Sequence, residues 1–182
     1  MKSSGGIFVG AVRSAQRRAL VVEENFAEHP HWSLLVAAYR QFRAGAPRAA
    51  LDQLEPVLEH DELANRPSFM AGVLWGLTGD CYFRLDKPDE GFRAYRRAIE
   101  LDGATGCLAL FACEVARHRR AEDAEEALRC LRAARAADWR ALTRHPFHFL
   151  WHSLGPDALY FRFVRVPLAR WRLRRLAAQA RG

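Results

Sequence analysis

The side chains best placed to do chemistry are three histidines, His145, His148 and His152. They fall at i, i+3 and i+7, a spacing that a helix gathers on one face, and imidazoles so placed can ligate zinc or another transition metal. The segment that carries them, His145-Pro-Phe-His-Phe-Leu-Trp151-His, is crowded with aromatic rings, and no Asp, Glu or Cys follows until Asp157. Histidines packed among aromatics, with one nitrogen bonded to backbone, are the preferred reading over a metal centre. Cys81, Cys107, Cys113 and Cys130 contain no Cys-x-x-Cys pair, and each lies inside a helical pattern. They read as buried free thiols in a reducing compartment. The paired acids Glu23-Glu24 and Glu125-Glu126 are sequence neighbours, so on a helix they point about 100° apart and cannot work as an acid and base couple. There is no Gly-rich phosphate loop after a strand, no Gly-x-Ser-x-Gly and no His-Glu-x-x-His. No catalytic residue, metal, cofactor or small-molecule substrate is expected.

What must be positioned, then, is a surface. The 182 residues are half apolar and about a quarter charged, with a formal net charge of +7. That is the composition of one ordinary globular domain. The basic excess is local: residues 159–182 hold Arg162, Arg165, Arg170, Arg172, Arg174, Arg175 and Arg181 with no acid, leaving 21 basic and 21 acidic groups in the rest of the chain. Only Lys2 and Lys87 are lysine, so a coding bias toward arginine explains part of the count. No apolar run approaches the roughly 18 residues that span a bilayer. The short apolar stretch from Gly5 to Val12 precedes Arg13, Arg17 and Arg18, the reverse of a secretory signal. A cytoplasmic protein is expected.

The apolar residues repeat at helical spacing almost throughout. Ala15, Ala19, Val22 and Phe26 form one stripe, ended by Pro30, and Trp32, Leu35, Val36, Tyr39 and Phe42 form a second, ended at Gly45. Pro47 opens a third helix, in which Pro56 predicts a kink or an early end. A looser stretch, His60 to Arg66, leads to a long apolar helix through Leu85. Asp86-Lys87-Pro88-Asp89-Glu90 then reads as a helix start with a capping acid, running to Asp102 and Gly103. Helices over about 105–118 and 121–137 follow. Tyr160 to Val166 alternates briefly like a strand, and Pro167 begins a last helix, with Leu173, Leu176 and Ala180 on one side.

Trp75, Thr78-Gly79 and Tyr82 resemble the first-helix pattern of a tetratricopeptide repeat, Trp-x-x-Leu-Gly-x-x-Tyr, with Thr78 in place of leucine. Tyr95 and Ala98 continue the likeness in the second helix. Gly91 departs from it, where alanine is usual, and so does Gly103, where proline is usual. Looser copies lie at Ala50, Leu54 and Val57 with Leu35, Tyr39 and Phe42 before them, and at Ala127, Leu131 and Ala134 with Phe111 and Val115 before them. Their spacings are 41 and 36 residues, Ala50 to Gly91 to Ala127, against a usual 34. The resemblance implies an all-α fold, a short right-handed solenoid of antiparallel hairpins over residues 31–138. An N-terminal segment (1–30) and an aromatic, basic C-terminal extension (139–182) flank it; the alternative is a plain helical bundle. In such repeats Gly79 and Ala98 allow close helix approach, while Trp75, Tyr82 and Tyr95 fill the space between hairpins.

First helices of such repeats line a concave groove. The resemblance places Arg40, Arg43, Asp80, Phe83, Arg84 and Arg119 there, with Val73, Gly76, Ala112 and Ala116 as its floor. Lysine and asparagine, which the carboxylate-binding version of the groove uses, are absent at Gly76 and Asp80, so chaperone-tail recognition is not expected. The expected function is a non-enzymatic adaptor or accessory subunit that holds another protein, an acidic or amphipathic helix, through this groove and the tail. Tyr160, Phe161, Arg170, Trp171, Arg174 and Arg175 are the tail contacts. A helix of this composition can also dock on its own repeats, lie on an anionic membrane surface, or hold nucleic acid through phosphates and stacking. Peripheral membrane or nucleic-acid binding is therefore the alternative function.

Overall fold

A computed structural model describes residues 29–102, 105–136 and 160–181. Among these residues the protein is all-helical, with seven α-helices: α1 (Trp32–Arg43), α2 (Pro47–His60), α3 (Phe69–Arg84), α4 (Pro88–Asp102), α5 (Thr105–His118), α6 (Ala124–Ala136) and α7 (Val166–Gln179). The helix expected over Ser14 to Phe26 and the histidines His145, His148 and His152 lie outside the described residues. The chain divides into two compact units, Met1–Ala104 and Thr105–Gly182. This division groups α5, α6 and α7 together.

In the first unit α1 packs antiparallel to α2, α3 packs on α2, and α4 returns along α3 in the most extensive helix pairing among the described residues. The stripes explain the pairing. Leu35, Ala38 and Phe42 of α1 face Ala50, Leu51, Leu54 and Leu58 of α2, all buried; each fully buried leucine contributes about 1.5–3 kcal/mol. Pro56 does not end α2, which continues to His60. Pro56 and Asp52 are both exposed, so the Asp52 carbonyl that loses its N–H partner faces solvent and the penalty is small. The loop after α2 holds a 3-10 turn, Leu63–Asn65. Asn65 closes the helix by donating from Nδ2 to the Leu58 carbonyl at 2.7 Å. This loop, not a longer helix, accounts for the long first spacing.

The three hairpins share one way of turning. After α1, Gly45 takes a left-handed φ of 82°, and the Ala46 N–H bonds to the Gln41 carbonyl at 3.0 Å. After α3, Asp86 takes φ 57° and the Lys87 N–H reaches Tyr82 O at 2.9 Å. After α5, Arg119 takes φ 54° and the Arg120 N–H reaches Val115 O at 3.2 Å. Each is a six-to-one closure that satisfies a carbonyl of the last turn. Asp86 therefore ends α3 and is not the cap of α4, which begins at Pro88. The left-handed residues stand 41 and 33 residues apart, from Gly45 to Asp86 to Arg119.

In the second unit α5 and α6 form a hairpin and α7 lies against both. Every residue of α5 from Cys107 to Ala116 is buried. Phe161–Arg165 is a π-helical turn that runs into α7, so the strand-like alternation from Tyr160 to Val166 is realised as helix. The buried side of α7 is Ala169, Leu173 and Ala177, with Leu176 half-buried and Ala180 exposed.

Because a left-handed φ costs a side-chain-bearing residue about 1–2 kcal/mol and glycine nothing, opposite effects are expected at equivalent turns. Gly45→Ala should lower, and Arg119→Gly raise, unfolding stability by about 1 kcal/mol, read as shifts in urea midpoint at constant m.

Candidate functional site

The segment with the most specific sequence pattern is built around a missing side chain. Ser68 opens α3, its Oγ accepting the Ala71 N–H at 3.1 Å. One turn before α3 ends, Gly79 faces α4, and the Tyr95 ring lies on its bare backbone. A Cβ at Gly79 would come within 2.6 Å of Tyr95 Cε1 and closer still to Cδ1. The Tyr95 hydroxyl donates to the Asp80 carboxylate. Phe83 meets Phe92 edge-on, ring centres 5.0 Å apart, and lies 5.1 Å from Tyr95. The same Phe83 ring covers Gly91, where a Cβ would meet it at 2.8 Å. The departure from alanine at Gly91 thus makes room for Phe83. Thr78, in the position expected for leucine, is buried and donates its hydroxyl to the Leu74 carbonyl at 3.0 Å. Ala98 is fully buried.

Two of the expected inter-hairpin residues divide their work. Tyr82 reaches across to the first hairpin, donating its hydroxyl to Glu55 on α2 at 2.7 Å. Burial, then the hydrogen bond and charge of Glu55, pushes the Tyr82 phenol up to about 12. Tyr95 stays inside its own hairpin, where the bare backbone of Gly79 leaves room for its ring. Trp75 is half-buried.

The expected groove is redistributed in the same way. Asp80 and Phe83 are engaged inside the α3–α4 hairpin, by Tyr95 and by Phe92 and Gly91. Val73, Gly76, Ala112 and Ala116 are buried, so they belong to the core and not to an open floor. Arg40, Arg43 and Arg84 are exposed. The Arg84 guanidinium sits 4.7 Å above the Phe42 ring, tying α3 to α1. Arg43 hydrogen-bonds Tyr39, whose phenol is raised by burial, lowered by Arg43 and raised again by the nearby Asp80. Arg43, Tyr39, Asp80, Phe42 and Arg84 are thus one neighbourhood on α1 and α3. Arg119 is an exposed turn residue of the second unit.

In the second unit a buried carboxylate pairs with the turn that leads into α7. Glu114, 7% exposed, accepts from Arg117 on its own helix and from Arg165 of the π-helical turn at 3.2 Å. His118 Nε2 lies 3.7 Å from it. Arg181 approaches Glu125 at 3.8 Å. Tyr160 and Trp171 are exposed, Phe161 and Arg170 half-buried, and Arg174 and Arg175 exposed. The Arg175 guanidinium lies 4.9 Å over Trp171, and that of Arg165 lies 5.6 Å over Phe161. Sequence reasoning missed Glu114 and Arg165, and also Phe163, Val164 and Leu168, which are exposed on the same helix. Reading residues 160–166 as a strand hid the spacing that joins them to Trp171.

The four cysteines are free and buried. Burial pushes the thiols of Cys81 and Cys113 up to about 12. Among the described residues no group of three or more His, Cys, Asp or Glu is placed to hold a metal ion, and no helix is long and apolar enough to cross a membrane. No family model matches the chain, and neither a curated protein nor a solved structure matches it.

Gly79→Ala should cost about 1–3 kcal/mol by forcing the Tyr95 ring aside. In a Tyr95→Ala background the penalty should largely vanish, a coupling that a double-mutant cycle by urea unfolding measures. The thiols give a second expectation. The folded values of Cys81 and Cys113 lie above the ordinary 9.0, so the associated stability is complete below pH 9 and is lost as pH rises from there toward 12. At pH 8 none of the four should react with an aromatic disulfide reagent before unfolding, and all four should react after it.

Proposed function

We propose that this chain is a non-enzymatic interaction module, an adaptor or accessory subunit of a larger assembly, built on tetratricopeptide-like hairpins. The observation that carries the reading is the repeated hairpin closure at Gly45, Asp86 and Arg119. It is joined to the packing of Tyr95 on Gly79 in the central hairpin. Hairpins that turn alike can stack as a right-handed solenoid, and such stacks act through side chains displayed on successive first helices. The reading also draws on the residue types: no catalytic constellation is assigned, and the cytoplasm suits four buried free thiols.

The contact surface in this proposal is the neighbourhood of Arg40, Arg43 and Arg84 on α1 and α3. Arg40, Arg43 and Arg84 are exposed, with Arg43 on the half-buried Tyr39 and Arg84 over Phe42, and together they offer bidentate donors to carboxylates. A helix with carboxylates along one side and apolar residues along the other is the partner chemistry that fits.

The test uses the full chain and a labelled, glutamate-rich amphipathic helical peptide, followed by fluorescence anisotropy. Exchanging Arg40, Arg43 and Arg84 together for glutamate should weaken binding at least tenfold, with the far-ultraviolet spectrum unchanged. Raising the salt concentration should weaken the parent chain's binding as well. Equal affinity of parent and variant, or no binding by either, would remove the reading.

A further inference from the structure

The last helix leaves an unusual surface open. Its contacts with α5 and α6 are made by Ala169, Leu173 and Ala177, one narrow stripe at four-residue spacing. At about 100° per residue, Leu168, Trp171 and Arg175 fall on the opposite side. Among the described residues, six large apolar side chains are markedly exposed, and five belong to this one stretch. They are Tyr160, Phe163, Val164, Leu168 and Trp171, at 55%, 65%, 44%, 41% and 54% exposure. Arg172 and Arg174, also exposed, lie to either side of this stripe, and Arg175 continues it.

We infer that this face of α7 is a lipid-surface site that seats the protein on an anionic bilayer. The chemistry separates this occupant from the others. Residues 158–182 carry seven arginines and no acid, so a second copy meeting the same face would set arginines against arginines with no carboxylate of the segment to pair them. Nucleic acid would take the arginines and stack on Trp171 or Tyr160, but it offers nothing apolar for Val164 and Leu168. A bilayer surface with acidic headgroups satisfies both halves. The aliphatic and phenylalanine side chains enter the acyl boundary, tryptophan and tyrosine stay at headgroup level, and the flanking arginines reach the phosphates and carboxylates. Arg175 already lies over the Trp171 ring, so a cation and an indole are paired on this face. The helix needs no folding on the membrane, because Leu173 and the two alanines hold it on its own unit. This site is separate from the Arg40, Arg43 and Arg84 surface, and the two are tested independently.

Flotation of the full chain with vesicles of phosphatidylcholine alone, or with 30% phosphatidylserine, decides the matter. Binding to the mixed vesicles and not to the neutral ones is expected. Replacing Arg172, Arg174 and Arg175 by glutamine should weaken it by about 100-fold. Leu168→Ser with Trp171→Ser should weaken it at least tenfold, and the triple Arg40, Arg43, Arg84 variant should leave it unchanged. Circular dichroism and thermal melts establish that each variant is folded. No binding to the mixed vesicles, or equal binding to neutral vesicles, overturns the inference, as does full retention in folded variants of the stripe. Transfer of the effect to a 20-nucleotide single strand, or to self-association by sedimentation equilibrium, would also overturn it and assign the face to that occupant.

Discussion

The Tyr95 ring rests on a backbone that carries no side chain at Gly79, and the first unit is arranged around that contact. Glycine inside a helix costs about 1 kcal/mol relative to alanine. A buried tyrosine removes on the order of 150–250 Å² from water, which at about 25 cal/mol per Å² outweighs that cost several times over. Once the ring is seated, the rest follows by exclusion. Its hydroxyl finds Asp80, its edge sets the position of Phe83, and Phe83 in turn requires Gly91. Two glycines in neighbouring helices are thus explained by two aromatic rings that interlock between them. Tyr82, one turn on, is released from this lock and free to bind Glu55 of the preceding hairpin.

Much of this was legible in the letters, and the exceptions have identifiable causes. The helices from Trp32 to Ala136 follow the apolar spacing closely, because each buries one stripe or is buried entirely. The stripes failed as guides where a helix has no polar side. Residues 107–116 contain a single charged group, Glu114, and a helix apolar all round is a core helix. Ala112 and Ala116 could not then line an open surface. Val73 and Gly76 belong to the same situation in α3. Asp86 was misread because aspartate suits two jobs, capping a helix and tolerating a left-handed backbone, and the two lie one residue apart here. Pro56 was expected to kink or end α2, and the helix continues past it to His60. The alternation from Tyr160 to Val166 misled because its large residues are exposed on a helix instead of dividing between two faces of a strand.

The second unit shows how part of a strongly basic segment is docked through acids of α5 and α6, Glu114 and Glu125. Glu114 gathers guanidinium groups from its own helix and from the turn before α7. It sits on a helix that is buried on every side from Cys107 to Ala116. A buried carboxylate left unpaired would be costly, and Arg117 and Arg165 share its compensation. Arg172, Arg174 and Arg175 of α7 stay exposed. The helix is anchored through an alanine-rich stripe and one leucine, and the opposite face keeps both its charge and its aromatic surface.

The three hairpin turns carry a different kind of information from the helices they join. Their geometry is dictated by main-chain hydrogen bonds and by the sign of one dihedral angle, and the residues that supply it are glycine, aspartate and arginine in turn. Nothing in those three letters is shared. A closure set by the main chain can therefore recur at turn positions whose side chains differ. A comparison made by letters would see one clear unit and two faint ones; a comparison made by dihedral angles sees the same corner three times.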